Sequence, residues 1–488
     1  MTSKEIQIKN GLIYLIPLAV NSFFPFIVIS VFTRILTKED FGIWGLAQVY
    51  AIFANGLTNF GMLTAYERNF FQFRNDKLKS AHLLYSSLTF VLVNFCIIAG
   101  LTYYFRNSLA LFVTGSMENG RILFFAFCGQ FFYGILSYYL TFFKNSEQAF
   151  DYSKNVVLFS LMNLIFSLLF VAWLHIGVIG LIYAQLLSGV LVFLLMSIKF
   201  FKLLKPSFSM GLLRESILIA YPLTPRIFLG VINSQFDKYM IGLLASIGGV
   251  GIYSIGQKVA SAVFSIMTAI QNVFSPQVYK KMFDNGEEGG RMVGQYLTPF
   301  AYVCVAPALL VALFSEEIFL VLTPAAFHDG IDIVIILSMF YAVMFFGKQP
   351  QLVFAKKTFM TSWLSFFSVG LNIAFNISFI TKWGALGAAW ATLFSGLISE
   401  IISFIISQHY YRIQWEYKKV GLIYAIFFSA TVIAILMHHY PAPYEIKVSI
   451  KTIFLILYAS LGVHLDIITK DNLRMVRNMV PLGSRSTT

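Results

Sequence analysis

Two cations stand where a cation is costly. Arg226 falls about ten residues into one long apolar segment and Lys258 about eight residues into the next, so at about 1.5 Å of helical rise per residue both lie toward the middle of a bilayer. Neither is near enough to a segment end to carry its charge easily to water. Around Lys258, the residues Ser254, Ser261, Ser265, Thr268, Asn272 and Ser275 recur at three- and four-residue spacing, with Gln257 and Gln271 flanking them. That is one polar face along an entire helix, and lipid is a poor solvent for it. Pro222, Arg226, Asn233 and Asp237 share a face of the preceding segment, while Asn21 and the set Gln48, Asn55 and Asn59 put amides into the first two segments of the chain. Cations with amides and hydroxyls suit an anionic, hydroxyl-rich ligand held in a water-filled cavity. The competing readings are Ser/Thr-mediated helix packing for the serine face and a buried ion pair for Arg226, for instance with Asp237. Lys348, beside Gln349 and Gln351, either guides an anionic headgroup or snorkels to the interface, and Glu400 reads as interfacial or paired with a nearby lysine.

The elements that must position these residues are membrane spans. Hydrophobic residues make up 58% of the chain and charged residues 12%, against about 25% charged in soluble domains. About fourteen segments are long and apolar enough to cross a bilayer, and the ten-residue alternation of a membrane β-barrel is absent. The N-terminal apolar stretch is too long for a signal-peptide core and reads as the first span. The chain is also written twice. Glu39–Ala51 returns as Gly248–Ala260 at an offset of about 209, and Gly177–Gly189 as Gly384–Gly396 at about 207. Pro17-Leu18 and Pro222-Leu223 open the two copies. Six spans per copy is an even number, so both copies enter the membrane from the same side as parallel repeats. The expected fold is all-α and polytopic: residues 1–204 as an N-lobe of spans 1–6, residues 205–410 as a C-lobe of spans 7–12, and residues 411–488 as spans 13 and 14 with a tail. The duplication is not perfect: Val49 corresponds to Lys258, and Asn21 to Arg226.

The net charge of +13 is a topology signal. With Met1 in the cytoplasm, about 24 Lys/Arg fall on the cytoplasmic side and about 8 on the other, a set that includes Lys238, Lys447 and Lys451. Both termini are therefore expected inside, with affinity for anionic membrane lipid and none for nucleic acid. Cys96, Cys128 and Cys304 fall within spans and read as packing residues. His438-His439, at a loop edge, reads as solvated, so no metal site and no cofactor are expected. No phosphate loop, HExxH or hydrolase elbow occurs. Loops are short, which argues against an enzyme such as a glycan polymerase.

The stretch TRILTKEDFGIWGLAQVYAIFANGLTNFG (Thr33–Gly61) resembles the first-repeat signature of bacterial polysaccharide repeat-unit flippases, of the O-antigen and capsule type. Phe236–Met282 (FDKYMIGLLASIGGVGIYSIGQKVASAVFSIMTAIQNVFSPQVYKKM) is similar to their second-repeat signature. These proteins belong to the multidrug/oligosaccharidyl-lipid/polysaccharide exporter superfamily. The resemblance implies a non-enzymatic flippase that carries an undecaprenyl-diphosphate-linked oligosaccharide from the cytoplasmic to the periplasmic leaflet of the bacterial inner membrane by alternating access. It also implies a monomeric transport unit, with a polysaccharide polymerase and a chain-length regulator as candidate partners. The role of cavity cation is carried to Arg226 and Lys258, with Asn21, Gln48, Asn55, Asn233, Gln257, Ser261 and Ser265 as the polar lining and Lys348 at headgroup entry. Two relatives of the superfamily fit less well. A cation-coupled drug exporter is expected to carry a mid-membrane acid in its first bundle, which spans 1–6 lack. A lipid II flippase is expected to carry several arginines in its first two spans, where only Arg34 stands, at a span end.

Overall fold

The computed structural model describes residues 3–73, 75–286, 288–346, 350–440 and 442–467. Among them every regular element is helical. The helices are α1 (Ser3–Phe32), α2 (Lys38–Asn59), α3 (Met62–Phe73), α4 (Lys77–Tyr104), α5 (Arg106–Thr114), α6 (Gly120–Asn145), α7 (Ala149–Ser167), α8 (Ile179–Leu203) and α9 (Met210–Ala220). They continue as α10 (Thr224–Leu244), α11 (Ile247–Asn285), α12 (Gly289–Leu313), α13 (Ser315–Leu322), α14 (Gly330–Val343), α15 (Pro350–Phe354), α16 (Thr358–Tyr410), α17 (Tyr417–His439) and α18 (Tyr444–His464). Eleven helical stretches are long and apolar enough to span a bilayer. One of them, α16, is two spans joined at Gly384, whose φ of +56° breaks the helix. With α1 and α2, this accounts for the fourteen segments read from the sequence.

The duplication is visible in backbone conformation. Gly177 and Gly384 occupy matching positions in the two copies, and both lie in the left-handed region, at φ +70° and +56°. A side chain there would be strained, whereas glycine enters this region freely, so each copy keeps glycine where the chain turns into its sixth span. Twelve residues on, a Cβ on Gly189 would press on Phe132, and one on Gly396 on the equivalent Phe340.

The chain divides into two contact units. The first holds residues 1–258, 320–329 and 376–388. Its hub is α6, packed against α2, α4 and α8, with α7 and α1 following outward. Apolar area alone does not drive helices together in lipid, so close packing of rings and small residues must do so. Phe95 and Phe131 stack at 3.8 Å between ring centres, and Gly129 lets α8 approach α6 at Leu186. Helix α2 starts at a capping box: the Thr37 hydroxyl accepts from the Asp40 amide at 3.1 Å, and the Asp40 carboxylate accepts from the Thr37 amide at 3.0 Å. The sequence TKED thus fixes where the span begins.

The second unit holds residues 259–319, 330–375 and 389–488. Here α12, α14 and α17 pack together, and α18 packs on α17. The Tyr302 hydroxyl donates to the Tyr458 carbonyl at 3.0 Å, and the Tyr458 hydroxyl donates back to the Tyr302 carbonyl at 2.7 Å. Their rings stack at 4.5 Å. Lys447 and Lys451, counted on the non-cytoplasmic side, lie on α18 and are buried against acids of α13. Lys447 meets Glu316 at 2.8 Å, and Lys451 meets Glu317 at 2.6 Å. The histidine pair is likewise not simply solvated, because both rings hydrogen-bond the buried Asp332 at the start of α14. Residues that close this far apart in sequence give no local signal of pairing.

Candidate functional site

The charged site forms on α10 and the first part of α11, within the first unit. Residues Met210–Leu244 make one run of 35 residues, and Arg226 stands close to its midpoint. Its side chain is exposed, as is that of Asn233, two turns further along the same face. Among the described residues Arg226 forms no ion pair. Its suggested partner is otherwise engaged: Asp237 is buried, accepting from the Tyr253 hydroxyl at 2.9 Å and from the Asn376 amide at 2.7 Å. The face that begins open at Arg226 therefore closes over at Asp237.

Lys258 lies on α11 with its side chain reaching accessible surface, and Gln257 beside it is half-buried. A third cation joins them. The helix α10 runs on to Leu244, so Lys238 is helical, and it holds Gln235 at 3.1 Å. It lies within electrostatic range of both Lys258 and Asp237. Arg226, Lys238 and Lys258 against Asp237 leave a positive excess on these two helices, among the amides of Asn233, Gln235 and Gln257. Charge placed there acts over a longer range than it would in water. Lys238 and Lys258 lie close enough to act on one phosphate group, whereas Arg226 stands about 18 Å of helix rise before Lys238 and offers its guanidinium fork separately.

The rest of the sequence-predicted lining divides. Ser261 and Ser265 are half-buried on α11, where the Ser265 hydroxyl donates back to the Ser261 carbonyl at 3.0 Å. That bond satisfies the serine on its own helix. Gln271 is buried with neither amide atom bonded, while Asn272 next to it is exposed. Gln48 is drawn into the helix bundle: its amide donates to Gln185 of α8 at 2.7 Å, and Gln185 donates on to Gln130 of α6 at 3.1 Å. Asn55 lies over Gly134 of α6. Asn59 accepts from the Tyr138 hydroxyl at 3.2 Å. The structure thus brings Arg226, Asn233, Lys258 and Gln257 onto two helices, and commits Gln48 and Asn59 to interhelical bonds. The side chain of Asn21, and Lys348 altogether, fall outside the described residues. Glu400 stands in an apolar pocket of about 240 Å³ lined by Val343, Phe404 and Trp415, and forms no ion pair with a described lysine.

A set of long apolar helices with an internal repeat defines a multi-pass helical membrane protein. Residues 8–280 match the family described as polysaccharide biosynthesis protein, and the chain belongs to that family. It is 22% identical over 197 residues to the probable low-salt glycan biosynthesis flippase Agl15 of Haloferax volcanii. The match spans 39% of this chain and about two fifths of that relative's length. Among solved structures, the lipid II flippase MurJ in an inward closed conformation superposes with a TM-score of 0.70 at 14% identity, covering 95% of this chain and all of that one. An inward-facing multidrug transporter of the MATE family, of the MOP superfamily, gives 0.59 at 15% identity, over 84% of this chain and 99% of that one. A MOP superfamily transporter from Pyrococcus furiosus, described as having reversed binding-pocket polarity, gives 0.54 at 15% identity, over 87% and 99%. These likenesses establish the fold: a multi-pass helical bundle like those of MurJ and the MATE transporter.

Proposed function

We propose that this chain flips an undecaprenyl-diphosphate-linked oligosaccharide repeat unit from the cytoplasmic to the periplasmic leaflet of a bacterial inner membrane, with both termini cytoplasmic. The observation that carries the reading is the cation set Arg226, Lys238 and Lys258 on the long apolar helices α10 and α11, in a chain of the polysaccharide biosynthesis family. A diphosphate is the part of such a lipid that most resists entering hydrocarbon, and three cations would offset its lost hydration. Asn233 and Gln257 beside them offer amide partners for sugar hydroxyls. The prenyl tail would stay in lipid. No bond is made or broken, so no catalytic residue is assigned. Residues 1–204 and 205–410 would act as the two lobes of an alternating-access transporter, with residues 411–488 as an addition to the second. The archaeal relative, a probable glycan biosynthesis flippase, and the structurally similar lipid II flippase support a lipid-linked glycan as cargo.

The test is reconstitution into vesicles with a fluorescent undecaprenyl-diphosphate oligosaccharide and a membrane-impermeant quencher. Wild type should bring nearly all of the label within reach of the quencher, while Arg226→Ala/Lys258→Ala should leave the inner-leaflet half protected. Equal flipping by that variant would sink the cationic-site reading. Lipid II as competitor separates the two cargo classes, since effective competition would favour the peptidoglycan precursor.

A further inference from the structure

Asp332, His438 and His439 form a second polar cluster, in the second unit, which the flipping reading does not use. Asp332 opens α14 and is only 6% exposed, and the two histidines close α17, 106 and 107 residues away. The His438 ring meets one carboxylate oxygen through Nδ1 at 3.0 Å, and the His439 ring meets the other through Nε2 at 2.8 Å. Neighbours on a helix point about 100° apart. They converge here because one ring uses its near nitrogen and the other its far nitrogen. One donor atom from each of the three residues lies within 4.8 Å of the others.

From this geometry we propose that Asp332, His438 and His439 bind a divalent transition-metal ion of the Zn²⁺ class. Two imidazoles and a carboxylate are the donor set of that class, whereas Ca²⁺ and Mg²⁺ want oxygen ligands throughout. Ligand bonds of about 2.0–2.1 Å in tetrahedral geometry put donors about 3.3 Å apart, so the two ring–carboxylate contacts need open by a few tenths of an ångström while the donor set, now within 4.8 Å, draws together around the ion. The surroundings favour a cation. Glu316 and Lys447 both lie within electrostatic range of His438 and pair with each other at 2.8 Å, and Lys451 bridges to Glu317 and Glu316. With neutral imidazoles, three carboxylates face two ammonium groups. The His439 side chain is 58% exposed, which leaves an entry path and a position for water. An ion there would clasp the end of α17 to the start of α14.

The experiment uses the full chain, purified in detergent and stripped with a chelator, then titrated with ZnCl2 by calorimetry and read by metal content after dialysis. One equivalent per chain should bind at low-micromolar or tighter Kd, unaffected by millimolar Mg²⁺. Asp332→Asn and His439→Ala should each weaken that binding at least ten-fold. The exposed His439 is the substitution that tests the site without disturbing packing. His175→Ala, at an exposed histidine of the first unit, should bind as wild type does. Zn²⁺ should raise the Tm of wild type and leave that of His439→Ala unmoved. Absence of a stoichiometric site in wild type, or its survival in His438→Ala/His439→Ala, would overturn the proposal.

Discussion

Gly42 and Gly251 perform the same task from opposite sides of one helix crossing. A Cβ on Gly42 would stand 1.9 Å from the Ile247 carbonyl oxygen, and one on Gly251 would stand 2.0 Å from the Lys38 carbonyl oxygen. Each carbonyl belongs to the residue four before the other glycine, so the contact reads alike from α2 and from α11. These glycines are a matched pair of the repeat, and the structure makes them partners. Backbone cannot retreat cheaply from such an approach, so even one methyl group forces the helices apart. Gly42→Ala and Gly251→Ala should each destabilise the protein by about 1–3 kcal/mol. Because both wedge the same crossing, the double variant should cost less than the sum. Thermal unfolding of the four proteins in one detergent measures this, and strict additivity would show that the two glycines do not share a contact.

Arg226 and Lys258 should prove unequal. The guanidinium can grip two phosphate oxygens at once, whereas the ammonium is a point charge with Lys238 nearby as a partial substitute. Arg226→Ala should weaken binding of the diphosphate lipid by about 30- to 100-fold, or about 2–3 kcal/mol. Lys258→Ala should weaken it less, and Arg226→Lys should recover only part of the loss. Equilibrium binding of the labelled lipid gives these ratios. Identical behaviour of Arg226→Lys and wild type would remove the fork from the argument.

The scaffold was legible because its signals are local. Span length, glycine at forced positions and the offset between copies need no knowledge of what packs where. Arg226 and Lys258 stood out because charge at membrane depth is rare whatever surrounds it. What stayed hidden depends on pairing across the chain. Gln48 reads as cavity lining until Gln185, 137 residues away, takes its amide. Lys238 reads as outside the span because hydropathy fades before α10 ends, and its closeness to Lys258 shows only once the helix is seen to run on to Leu244. The histidine pair reads as solvated, and the pairing of Lys447 and Lys451 is invisible, for the same reason: their acids lie more than 100 residues upstream.

Asp237 makes a prediction of its own. Its carboxylate accepts from Tyr253 and Asn376, both within the first unit, and none of the three can reach bulk water readily. Asp237→Ala takes the acceptor from two buried donors at once, at about 1–3 kcal/mol for each group left without it. Tyr253→Phe removes one donor and leaves Asn376 in place, at about 1 kcal/mol. Asp237→Ala should therefore lower Tm clearly more than Tyr253→Phe, with Asp237→Asn between them. A larger loss from Tyr253→Phe would mean that the ring's packing, and not the carboxylate, organises this corner of the unit.

The Lys451–Glu317 pair should behave as a unit whose halves are worse alone than absent together. The Lys451 side chain is 2% exposed and its ammonium lies 2.6 and 2.7 Å from the two oxygens of Glu317. Taking a charge out of water costs several kcal/mol, and the nearby opposite charge offsets it. Lys451→Met leaves Glu317 buried beside a methyl group and should cost about 3–5 kcal/mol. Lys451→Met/Glu317→Gln removes the stranded charge and should recover much of that loss, although Glu316, 3.9 Å from the same ammonium, keeps the recovery incomplete. Unfolding of the single and double variants in detergent measures the coupling. If the double variant is no more stable than Lys451→Met, then α18 is held by the Tyr302–Tyr458 exchange and the ion pair adds nothing to it.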